Sequence, residues 1–148
     1  MTTCLDCKRE LNTVELRAAM DHFGVALCEH HQQLIRRIIR RHNTTIEAIQ
    51  LYYGLKNIGI YPMLEWWDGS KSVDIAISRV KLNLEIDSEY QMLTTEQVLD
   101  TLVKRMYDYE DGFTTIRIPK VLIRQCLEDI IEAVQRIADN MKARAQAV

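Results

Sequence analysis

The sequence predicts an α/β chain, with a sheet unit behind a small N-terminal metal-binding module. Two observations predict it. From residue 44 onward, helical periodicity alternates with short period-2 apolar runs in the order helix, three strands, helix, strand, helix. Before that, three of the four cysteines fall into two knuckles, "CLDC" at 4–7 and "LCEHHQ" at 27–32. The boundary between the two parts, 1–43 and 44–148, lies where the basic composition of the first part stops.

The first part reads as C-x2-C, twenty residues, then C-x2-H. Cys4, Cys7, Cys28 and His31 offer three thiolates and an imidazole, a donor set suited to tetrahedral, structural Zn²⁺. His30 is the alternative nitrogen, one residue out of register. Gly24 marks a turn before a short strand leading to Cys28, so a hairpin is expected between the knuckles. The basic helix follows directly. In "RRIIRR", 36–41, Arg36, Arg37, Arg40 and Arg41 recur at helical spacing while Leu34, Ile35, Ile38 and Ile39 form its apolar stripe. Such a face either neutralises phosphates, with Lys8, Arg9 and Lys104 as further cations, or is solvated or paired to the acidic second part. Lys plus Arg outnumber Asp plus Glu seven to five over 1–43, and are outnumbered twelve to sixteen over 44–148.

In the second part, Asn43 and Thr44 precede a helix with Ile46, Ile49 and Leu55 inward and Gly59 after it. Glu47, three residues after Thr44, is the return half of a capping box or an accessory to a catalytic site. "YPMLEWW", "SVDIAI" and "KLNLEI" are the three strands, with "DGS" as the turn between the first two. The adjacent Trp66 and Trp67 point to opposite sides of the first strand. "TTEQVLDTLVKRMYDYE" reads as a helix capped at Thr94 or Thr95, and "GFTTIRIP" as the last strand. A long terminal helix has Pro119 in its first turn and Cys126 buried. Asp74 in one strand and Glu85 and Asp87 at the end of the next are either the wet side of a ribbon or a converging metal site. Hard Mg²⁺ prefers such carboxylate oxygens and keeps waters that can act as nucleophile.

Two resemblances follow from these residues. Residues 4–33 resemble treble-clef-like zinc modules, in which the metal is structural and the following helix often touches nucleic acid. Residues 44–136, through the helix bearing Glu47, "VDIAI", "LNLEIDSEYQ" and "DGFTTIRIP", resemble the PD-(D/E)XK nuclease superfamily, within it the very-short-patch-repair-like endonuclease group. This implies a restriction-endonuclease-like αβββαβα core and a DNA endonuclease dependent on Mg²⁺ or Mn²⁺. Its metal ligands would be Asp74 and Glu85, with Asp87, Gln91 and Glu47 in supporting roles. Ser88 stands where the group usually has glycine, Gln91 where it usually has histidine, and Asp87 in the place of the superfamily lysine. Asp100 and Lys104 lie near the register where the group has an aspartate and an arginine. With Gln91 unable to act as a base at neutral pH, the alternative is a degenerate nuclease fold that binds nucleic acid or a protein partner. Partners implied are DNA, and a second copy or another protein. The apolar runs are too short for a membrane span and the N-terminus lacks a signal-like apolar stretch, so the expected location is the cytoplasm.

Overall fold

The computed structural model describes residues 2–69, 71–87 and 113–146. The helix expected after Thr94, with Asp100 and Lys104 on it, and the positions Ser88 and Gln91, lie outside these residues.

The knuckle region opens the chain with a single bridge between Thr3 and Glu10. Between the knuckles the structure has a helix, α1 (Thr13–Phe23), in place of the expected hairpin. The reason is local. Asn12 and Glu15 form a reciprocal capping box, and Gly24, at φ 70°, ends the helix in the left-handed conformation that glycine tolerates. Residues 25–27 form no strand, but the Leu5 N–H donates to Ala26 O at 2.9 Å, which ties the first knuckle to the return segment. The basic helix is α2 (Glu29–His42), with Cys28 as its N-cap and Asn43 in the left-handed conformation beyond its end. Glu15 also accepts from the Glu29 N–H at 3.0 Å, joining the starts of α1 and α2.

Helix α3 (Ile46–Asn57) starts one residue later than its sequence suggests. Thr45 is the cap, its hydroxyl accepting from the Ala48 N–H at 3.1 Å. That shift removes Glu47 from the capping box expected with Thr44 and leaves it facing the terminal helix. Strands β1 (Met63–Trp67) and β2 (Ser72–Ile77) form an antiparallel pair. The turn between them is held by the Lys71 N–H donating to Asp68 Oδ1 at 2.8 Å, with Gly69 at φ 104°. A short 3₁₀ turn, Ser78–Val80, leads to β3 (Leu82–Asp87), antiparallel to β2. Strand β4 (Thr114–Pro119) adds parallel to β3, giving a four-stranded mixed sheet of order β1-β2-β3-β4. Pro119 ends β4 rather than sitting inside the terminal helix α4 (Lys120–Gln146), which is kinked where Cys126 takes φ −145°, ψ 51°.

Period-2 alternation sorts the strands into two faces. Ile75, Ile77, Leu82, Leu84, Ile116 and Ile118 meet α3 and α4 in one core. The approach of the helices is close: a Cβ on Gly54 would fall 2.3 Å from Ile131 Cδ1. A second core gathers Cys4, Ala19, Phe23, Leu27, Cys28 and Ile35. Helix α3 serves both, giving Leu51 and Leu55 to the first and Ile49 and Tyr53 to the second. At about 1.5–3 kcal/mol for each large apolar side chain buried, α3 is the main bond between the knuckle region and the sheet.

Candidate metal centre and carboxylate row

Cys4 and Cys7 sit on the tight first knuckle, where the Cys4 N–H donates to Arg9 O at 2.8 Å and the Lys8 N–H to Cys4 O at 2.9 Å. Cys28 caps α2 and His31 follows in its first turn, so three residues of separation put both on one side. One ligand atom from each of Cys4, Cys7, Cys28 and His31 lies within 4.8 Å of all the others. Cys7 Sγ is 3.9 Å from Cys28 Sγ, and His31 Nδ1 is 3.1 Å from Cys28 Sγ and 3.8 Å from Cys4 Sγ. Zinc–sulfur bonds of roughly 2.3 Å set tetrahedral sulfur–sulfur edges of roughly 3.8 Å, so the four residues fit a zinc ion. The sulfurs are too far apart for a disulfide, and all the cysteines are free. Burial opposes a thiolate at Cys4, but hydrogen bonds from the backbone of Cys7, Cys28 and Asp6 outweigh it and bring the thiol below its usual pKa. His30 is not in the group, and its ring packs edge-on against His31 at 5.1 Å.

The polar face of the sheet carries the second group. Leu64 pairs with Ile75 and Trp66 with Val73, so Glu65 stands opposite Asp74. Ile75 pairs with Leu84, and the next step of that register sets Asp74 against Glu85. Glu85 in turn pairs with Arg117 of β4. A row Glu65, Asp74, Glu85, Arg117 therefore crosses the sheet, and Asp87 lies two residues beyond Glu85 on the same face. Asp74 Oδ2 accepts from the Ile86 N–H at 2.8 Å. Burial is the main reason that its pKa is raised, and the neighbouring charges of Glu65 and Glu85 push the same way. Glu85 is balanced by Lys71 Nζ at 2.7 Å and by Arg117 at 3.7 Å.

Glu65 is the member that sequence reasoning missed. Its side chain is only 5% exposed, it accepts from Ser72 Oγ at 2.6 Å and from the Thr44 hydroxyl, and its backbone is at φ 53°. The alternation Leu64, Glu65, Trp66 was the available signal. The row is looser than the cysteine group. Among the described residues, Cys4, Cys7, Cys28 and His31 form the one set of three or more such side chains close enough to share an ion.

Glu47 is buried at the start of α3, with Arg124 Nε donating to it at 2.5 Å and Lys120 Nζ 4.0 Å away. Lys120 follows Pro119, the partner of Asp87, so Glu47 belongs to the same end of the sheet as Asp87. On α2, Arg37, Arg40 and Arg41 are exposed and line a cleft of about 550 Å³ with Ile38 and His42. Arg36 instead lies over the Phe23 ring, 5.6 Å from its centroid. None of the four arginines forms an ion pair among the described residues, whereas Arg9 is taken by Glu15. His42, at the end of the helix, comes within 3.9 Å of Glu65, so the arginine face ends beside the carboxylate row.

No protein-family model matches the chain, and no characterised protein or solved structure matches it. Among the described residues no helix is long and apolar enough to cross a membrane.

Proposed function

We propose that the chain is a divalent-metal-dependent DNA endonuclease of the PD-(D/E)XK type, anchored by a structural zinc module. The observation that carries this reading is the placement of Asp74 and Glu85 side by side on adjacent strands of a mixed sheet whose last strand runs parallel to the third. Asp74 is uncomfortable as an anion there, and a cation would relieve it. Asp74 and Glu85 would hold Mg²⁺ or Mn²⁺, which supplies charge for the phosphate and a more acidic water. Asp87, on the same face, would orient a water. Gln91 would hydrogen-bond phosphate or water without acting as a base. Arg37, Arg40 and Arg41 would contact the phosphate backbone, a sequence-independent attraction that ends at the carboxylate row through His42 and Glu65.

A second reading, a nuclease fold that only binds nucleic acid, draws support from Glu85 being already neutralised by Lys71 and Arg117. Incubation of plasmid and of single-stranded, duplex and branched oligonucleotides with Mg²⁺ or Mn²⁺, beside Asp74→Ala, separates the two. Cleavage lost in Asp74→Ala is expected. Retention of DNA in gel shifts with no cleavage of any form would favour the binding protein, and cleavage surviving Asp74→Ala would place the activity elsewhere.

A further inference from the structure

We propose that Asp6, inside the Cys4–Cys7 knuckle, is the outer partner of the metal centre and makes the seating of α3 depend on its occupancy. The inference rests on the zinc reading and not on the nuclease reading. Asp6 touches three groups. Its Oδ1 is 3.2 Å from His31 Nε2 and 3.3 Å from Lys56 Nζ, and its Oδ2 accepts from the Tyr53 hydroxyl at 2.9 Å.

The two ring nitrogens of His31 face different groups. Nδ1 faces the sulfurs of Cys28 and Cys4, so it is the nitrogen that would give its lone pair to zinc. A neutral imidazole that does so carries its proton on Nε2, and the Asp6 carboxylate lies 3.2 Å from that nitrogen. A carboxylate behind a metal-bound histidine fixes the tautomer, holds the ring plane and strengthens the donor. Asp6 itself contributes no bond to the metal, so it is a positioning residue.

Tyr53 and Lys56 extend the chain of contacts to α3. Tyr53 is 1% exposed and belongs to the knuckle-side core, and the Lys56 ammonium lies 5.8 and 6.0 Å from the ring centroids of Tyr52 and Tyr53. Metal, His31, Asp6 and Tyr53 thus form one continuous path into the helix that also packs the sheet and carries Glu47. Without the metal, His31 is free to turn, Asp6 loses one of its three partners, and the buried Tyr53 hydroxyl loses a fixed acceptor.

The test uses the full chain loaded with Zn²⁺ or Co²⁺. Wild-type protein with Co²⁺ should show the absorption of a tetrahedral site with three sulfurs and one nitrogen. Asp6→Ala should keep that spectrum while the zinc dissociation constant, measured by chelator competition, rises about 10- to 100-fold, with Asp6→Asn in between. Should Asp6→Ala fail to fold, Asp6→Asn alone carries the comparison, and an affinity equal to wild type in it overturns the proposal. Tyr53→Phe should bind zinc within a few-fold of wild type yet lose the zinc-dependent part of hydrogen-exchange protection over residues 49–55. Equal protection of those amides with and without zinc in the wild-type protein would also overturn it.

Discussion

Asp74 is a carboxyl whose pKa is raised by burial and by the charges of Glu65 and Glu85, and this fixes the sign of its contribution. The folded state holds the proton more tightly than the unfolded chain, where the pKa is about 3.9. Stability therefore falls as pH rises from that value through the raised one, and above both it stays reduced by a constant amount. Asp74→Asn should melt higher than wild type at pH 7, and the two should converge below about pH 3.9. Scanning calorimetry over that range checks it; equal melting at neutral pH would refute it. Millimolar Mg²⁺ should raise the wild-type melting point but not that of Asp74→Asn. Glu47 separates a structural from a catalytic role in another way. Glu47→Gln should cost about 1.5–3 kcal/mol in denaturant unfolding, since a charged hydrogen bond to Arg124 is weakened. Arg124→Gln should lose stability without losing cleavage, and only a catalytic Glu47 would lose more cleavage than that. At this scale legibility followed locality. The cysteines and histidine of the candidate metal centre were readable because spacing alone brings each pair together. Arg124, 77 residues from Glu47, left no trace near it, and Glu65 looked like an ordinary solvent-facing strand residue.

Among the elements, the strands were the most legible, because their apolar runs alternate and three of the four end at Asp or Pro. The helix between the knuckles was also written in the sequence, as Asn12, Glu15 and Gly24. A glycine before an apolar triplet suggests a turn into a strand, whereas Gly24 terminates α1. The α2 arginines carry a prediction of their own. Arg37→Gln with Arg41→Gln should weaken DNA binding for all sequences alike and flatten the dependence of log K on log salt by roughly one to two units, as each lost phosphate contact removes about 0.9 of slope on duplex DNA. Melting should hardly change, since neither side chain has an ion-pair partner among the described residues. An unchanged slope would exclude this face as the DNA contact.

In the whole molecule, the division at residue 43 drawn from composition meets a helix that belongs to two cores. Composition records charge, and it is blind to the fact that Ile49 and Tyr53 turn one way while Leu51 and Leu55 turn the other. Removal by a chelator of a zinc ion held by the four residues should accordingly lower the melting point of the entire chain, the stability lost being about 2.7 kcal/mol if zinc is present at 100 times its dissociation constant. Two well-separated transitions, with the sheet unit melting unchanged, would contradict a shared α3. The kink at Cys126 works on the opposite principle, because it divides where α3 joins. Helical φ/ψ is interrupted there, so the two segments of the helix take different directions. The short leading segment, with Lys120 and Arg124, is continuous with β4, while the long trailing segment stays against Gly54 through Ile131. The change of direction at Cys126 thus lets one helix bring Arg124 to Glu47 at the Asp87–Pro119 end of the sheet and Ile131 to Gly54 farther along α3.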